Sequence, residues 1–96
     1  MPTLPDDPTK LIDGDISNQT HQVMKNLKTV LIASNSSLEN VVFARVYLVN
    51  FKDFNVMNKI YESYFVPGKL PARTCIGVTG LAVGASIEIE LIAKVV

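Results

Sequence analysis

The sequence predicts an α+β domain of two layers, with two helices packed on one face of a mixed sheet. Three observations carry this. Two segments repeat apolar residues at steps of three and four, the helical spacing. Three others are β-branched or aromatic runs, of which the last alternates apolar residues with glutamates. Their order along the chain is loop, helix, strand, helix, strand, strand. With 96 residues the chain has room for one domain, spanning 1–96.

Residues 1–15 hold Pro2, Pro5 and Pro8 among four aspartates and one glycine, which is loop chemistry; Lys10-Leu11-Ile12 has the composition of a very short strand. The first helix is expected from about Ser17 to Ser34, capped by Asp15 or Ser17. Its inner stripe is Val23, Leu27, Val30, Leu31 and Ser34, while Lys25, Asn26 and Lys28 face water. Asn35, which tolerates positive φ, is the expected terminator. Val41 to Val49 is apolar on both sides and reads as a strand covered on two faces. Its single charge, Arg45, is either an interface arginine or a site cation. The second helix is expected from Phe51 to Phe65, with Asn50 and Asp53 as a capping box and a core stripe of Phe54, Met57, Tyr61, Tyr64 and Phe65. Val66-Pro67-Gly68 ends it. Strands at Ala72–Thr79 and Ala85–Val96 close the chain. Ile76 and Val78 stand opposite Cys75, so the sheet's second face also needs cover, from further strands or a partner subunit.

Composition narrows the function classes. Nine basic residues balance nine acidic ones, which gives no cationic surface for phosphates, and no nucleic-acid partner is expected. No apolar run approaches the roughly 20 residues that span a bilayer, so no membrane partner is expected either. The start of the sequence carries no secretory n- or h-region, which points to the cytoplasm. A truncated N-terminus would leave a mitochondrial location open. With 48% hydrophobic and 19% charged residues, the surface is short of polar cover, an indication of oligomerisation. The one cysteine, Cys75, can form no internal disulfide, and no metal-ligand spacing surrounds it.

The densest chemical candidate is Pro71-Ala72-Arg73-Thr74-Cys75. Strand alternation places Arg73 and Cys75 on one face, roughly 6.6 Å apart. A guanidinium on a strand built for burial must find an acceptor. That acceptor is either internal, with Glu88 or Glu90 on the neighbouring strand, or the carboxylate of a substrate, which the planar fork of arginine fits. Glu88 and Glu90 share a face, as a solvated edge or as a carboxylate pair for acid–base work. His21, the only histidine, falls on the polar side of its helix, so a cysteine–histidine nucleophile is not expected and Cys75 reads as a small buried side chain.

At these residues a resemblance becomes specific. Pro71-Ala72-Arg73-Thr74-Cys75, followed by Gly84-Ala85-Ser86-Ile87-Glu88-Ile89-Glu90-Leu91-Ile92-Ala93, resembles the signature end of the Rid family, the reactive intermediate deaminases. Gly14-Asp15-Ile16-Ser17-Asn18-Gln19-Thr20 resembles that family's entry to its first helix, Ser36-Ser37-Leu38-Glu39-Asn40-Val41-Val42 its turn into the central strand, and Asp53-Phe54-Asn55-Val56-Met57-Asn58-Lys59-Ile60-Tyr61 its second helix. The match runs from about residue 10 to 96.

The resemblance implies a chorismate-mutase-like domain and a homotrimer with sites at subunit interfaces. It implies hydrolysis of enamine or imine intermediates of the 2-aminoacrylate type to a 2-keto acid and ammonia, without a cofactor or metal. It implies that Arg73 clamps the substrate carboxylate, that the backbone at Cys75 meets the reacting end, and that Glu88 places the attacking water. Two departures stand out. The family's opening strands, with a proline-tyrosine-serine run and a serine-glycine-glutamine run, have no counterpart in this sequence, so the domain is expected to lack the first two strands. The usual leucine-proline turn is Leu81-Ala82. Rid-like chains also serve as non-catalytic, chaperone-like or translation-related trimers, the alternative reading; a small-ligand site of another kind on the same trimeric fold, as in chorismate mutases, ranks below both.

Overall fold

The computed structural model describes residues 1–95. The chain opens with a hairpin, β1 (Thr3–Leu4) against β2 (Asp7–Leu11), antiparallel. This corrects the expected loop. Asp7 accepts from the Thr9 amide at 3.0 Å and the Thr9 hydroxyl at 2.6 Å, and the Ile12 amide donates to the Pro2 carbonyl at 3.0 Å. Turn-forming residues thus lie inside the hairpin itself, which hides short strands from a composition argument. The hairpin forms its own two-stranded sheet.

Helix α1 runs from Ile16 to Ala33, with Asp15 accepting from the Asn18 amide at 3.1 Å as its N-cap. Gly14 precedes it at φ +126°, where a Cβ would overlap the Asn18 side chain. Asn35, at φ 59°, turns the chain out of the helix as expected. Val23 and Met24 are fully buried and Leu27 and Leu31 pack beside them. Val30 does not join this stripe; it is 60% exposed, on a groove between α1 and the hairpin lined also by Met1, Leu4 and Pro5. Asn26 does not simply face water either. Its amide donates to the carbonyls of Met1 and Thr3, at 3.1 and 2.9 Å, and ties the hairpin to the helix.

The main sheet has three strands: β3 (Val41–Leu48) lies between β4 (Ala72–Gly77) and β5 (Ile87–Ala93). β4 is parallel to β3 and β5 antiparallel, so the sheet is mixed. The parallel pair needs a crossover, which α2 (Phe54–Ser63) supplies. Helix α2 follows a 3-10 turn at Phe51–Asp53, in which Asn50 accepts from the Lys52 amide at 3.1 Å. Asp53 makes no side-chain cap bond, so the expected capping box is not formed. The last strand is shorter than expected: it begins at Ile87 rather than Ala85 and ends at Ala93, with Lys94 and Val95 outside it, while Val96 lies outside the described residues. The expected connection before it holds a 3-10 turn at Ala82–Gly84 with Val83 at φ 52°.

Both helices cover one sheet face. Val23 and Met24 from α1, Met57 and Tyr61 from α2, and Ala44, Val46, Leu48, Ile87 and Ile89 from the sheet form the buried core. Each large aliphatic side chain there contributes roughly 1.5–3 kcal/mol through burial. The other face carries no layer among the described residues. It presents Phe43, Arg45 and Tyr47 from the centre, Thr74 and Ile76 on one flank, and Glu88, Glu90 and Ile92 on the other. Ile76 and Ile92 are 42% and 55% exposed, so this face is apolar and charged together.

Candidate functional site

Register decides which of the expected site residues meet. Arg73 lies beside Ala44 and Cys75 beside Val46, two inward positions of the central strand, so both point to the helix side as alternation requires. Glu88 lies beside Tyr47 and Glu90 beside Arg45, on the open side. β4 and β5 flank β3, so they run roughly 10 Å apart and are not neighbours. The internal pairing of Arg73 with Glu88 or Glu90 therefore does not form: the sheet order separates the strands and the pleat sends the side chains to opposite faces.

Arg73 is held instead by α2. Its Nη1 donates to Asn58 Oδ1 at 2.5 Å. The guanidinium carbon lies 4.9 Å from the Tyr61 ring centre and 5.5 Å from that of Phe54. No ion pair engages it among the described residues. The side chain is half-buried, so this is a cation with an outlet to solvent and uncharged neighbours. Cys75, two residues on and half-buried, has its thiol pushed up by burial, an effect that Arg73 partly offsets. It stays protonated at neutral pH, which agrees with a packing side chain rather than a nucleophile.

On the open face, the Tyr47 hydroxyl donates to Glu90 Oε1 at 2.5 Å, and this bond is the main cause holding the phenol above its ordinary pKa. Glu88 is half-buried and its Oε1 lies 3.3 Å from the Met1 amino group. Arg45 stacks over Phe43, its guanidinium 5.3 Å from the ring centre. Of the two open readings of Arg45, its exposed position on an uncovered face fits the interface arginine. Neither side of the sheet gathers a metal-binding cluster among the described residues.

Sequence reasoning missed Asn58 and Tyr47. Asn58 sits four residues after Phe54 and three before Tyr61, on the stripe assigned wholly to the core. An amide at that spacing between two aromatic residues was the local signal; the arginine-bearing strand it faces is given by the fold.

Comparison with known proteins fits this arrangement. Residues 3–95 match the family described as Endoribonuclease L-PSP. Protein HMF1 of Saccharomyces cerevisiae is 42% identical over 93 residues, covering 97% of this chain and 70% of that protein. The chain belongs to the Rid family. A relative from Rattus norvegicus named 2-iminobutanoate/2-iminopropanoate deaminase is 40% identical over 84 residues, covering 88% of the Rid chain and 61% of its own length. The crystal structure of yeast Mmf1 superposes with a TM-score of 0.91 at 39% identity, over 98% of this chain and 73% of that one. E. coli TdcF, solved with bound serine, gives 0.87 at 28% identity, over 96% and 72%. The Rid chain thus shares the fold of these proteins while spanning between about three fifths and three quarters of their lengths.

Proposed function

We propose that this Rid chain hydrolyses reactive 2-imino and enamine acids of the 2-aminoacrylate type. Water adds to the imine carbon, the carbon–nitrogen bond breaks, and a 2-keto acid and ammonia leave. The observation that carries this reading is Arg73, a half-buried guanidinium held by Asn58 and two aromatic rings with no carboxylate of the described chain on it. A small carboxylate fits it through two parallel hydrogen bonds. The named deaminase activity of the rat relative supports the choice of substrate.

In this reading Arg73 anchors the carboxylate, the backbone at Cys75 meets the reacting end, and Glu88 places the water. The imine is intrinsically labile, so positioning and one proton relay supply the acceleration without a cofactor. Because Arg73 and Glu88 lie on opposite faces of one sheet, a site that uses both is assembled between copies, and the uncovered face with Ile76 and Ile92 supplies the apolar contact of a homotrimer. A cytoplasmic or mitochondrial location suits this chemistry, and one yeast relative carries the word mitochondrial in its name.

The test is keto-acid release from freshly generated 2-aminoacrylate, against the uncatalysed rate and against Arg73→Ala. Acceleration that vanishes in a folded Arg73→Ala protein supports the deaminase. An equal rate with and without folded wild-type protein favours the non-catalytic, chaperone-like or translation-related trimer.

A further inference from the structure

Among the described residues, the recorded partners of the Arg73 guanidinium are all uncharged. Phe54, Asn58 and Tyr61 stand at steps of four and three along α2, so they form a single stripe on that helix. The two rings attract the cation through their faces and use none of its N–H donors. Asn58 takes one donor of Nη1, and a guanidinium has five. The donors left over suffice for a carboxylate. An aspartate at this position has nearly the same shape and would make a stronger, charge-assisted bond, yet the chain uses the amide.

We infer that Asn58, with Phe54 and Tyr61, is a positioning and specificity-determining seat: it fixes the plane of the Arg73 guanidinium while leaving its charge uncompensated for an incoming carboxylate. The inference rests on the proposed role of Arg73 as carboxylate anchor. It separates two properties that a merely structural contact would keep together. A structural contact is improved, or at least preserved, by a tighter bond. A charge-preserving seat is spoiled by that same bond, because the aspartate neutralises the cation that the ligand needs.

The experiment measures binding of 2-oxobutanoate and of its uncharged amide to the full chain by titration calorimetry, alongside thermal melting, for wild type, Arg73→Ala, Asn58→Asp and Asn58→Ser. The expected result is that Asn58→Asp melts no lower than wild type but binds 2-oxobutanoate about tenfold or more weakly, the scale of a lost charge-assisted contact, with no matching loss for the amide. Asn58→Ser, neutral and able to accept one hydrogen bond, loses less than Asn58→Asp. Wild-type affinity for 2-oxobutanoate in Asn58→Asp overturns the seat. So does an equal loss in Asn58→Asp and Asn58→Ser, which also decides the matter if the aspartate variant folds poorly, and so does a wild type that binds no carboxylate. Arg73-dependent binding without any turnover leaves the seat standing and removes the deaminase reading instead.

Discussion

Asn58 on α2 and Arg73 on β4 are joined by a 2.5 Å hydrogen bond, amide oxygen to guanidinium nitrogen, across the helix–sheet interface. The bond places a cation beside a helix whose facing stripe is otherwise apolar and aromatic. The planar fork of arginine suits this seat and a lysine does not. Arg73→Lys keeps the charge but loses the stacking and the second hydrogen bond. It is expected to raise the KM for imino acids by about tenfold, close to 1.4 kcal/mol, with the fold intact by circular dichroism. An unchanged KM would show that a point charge suffices.

Tyr61 is 1% exposed and its hydroxyl has no hydrogen-bond partner among the described residues. Burial is the main cause that pushes its phenol above the ordinary value. Removing an unpartnered buried hydroxyl relieves a desolvation cost, so Tyr61→Phe is expected to be neutral or to stabilise the fold by up to about 1 kcal/mol. Urea unfolding measures this, and a loss above about 1 kcal/mol would reveal a hydrogen bond to the hydroxyl.

Gly14 holds φ at +126° with the Asn18 side chain against it. Gly14→Ala adds a Cβ where the backbone is strained and the space is filled. The expected cost is about 1–3 kcal/mol, read as a lowered urea midpoint. A midpoint equal to wild type would show that the turn before α1 relaxes freely.

The half-buried thiol of Cys75 ionises above an ordinary cysteine. Its folded pKa is raised, so its contribution to stability is complete below the unfolded thiol pKa and is lost as pH rises through the folded one. Alkylation by iodoacetamide is therefore expected to be slow at pH 7–8 and to accelerate only above the inflection of a free thiol, while denatured protein reacts at the ordinary rate. Fast labelling of the folded chain at pH 7 would contradict the burial described for this side chain.

The open face carries Ile76 and Ile92 on its two flanks. Ile92→Asp sets a charge on one apolar flank of the proposed contact between copies. It is expected to shift sedimentation from the proposed trimer toward monomer and to reduce the proposed imine hydrolysis together with assembly. Full activity in a monomeric variant would remove the interfacial site.

The sequence made some of this architecture legible because certain signals are local. Asp15 as cap and Asn35 as terminator depend on backbone geometry within a few residues, and both are where the chain pattern puts them. The shared face of Arg73 and Cys75 follows from the two-residue pleat alone. Strand order is not local. Alternation says which way a side chain points within its own strand and nothing about which strand lies beside it. The partner expected for Arg73 was therefore drawn from the wrong flank of the sheet. Asn58 was hidden for a related reason: a polar residue on an amphipathic helix reads as solvated until the strand it meets is known. The N-terminal hairpin was masked by prolines and aspartates, which serve its turn but also characterise loops.

The order β4-β3-β5 has a consequence for how defects combine. If the arginine half of a site comes from one subunit and the glutamate half from its neighbour, a chain lacking Arg73 still contributes an intact glutamate, and a chain lacking Glu88 still contributes an intact arginine. Two dead preparations, dissociated and reassembled together, would then recover turnover, with roughly a quarter of the interfaces pairing two sound halves if subunits mix at random. A recessive loss in either residue would be rescued by a loss in the other, the complementation that a site shared between subunits allows.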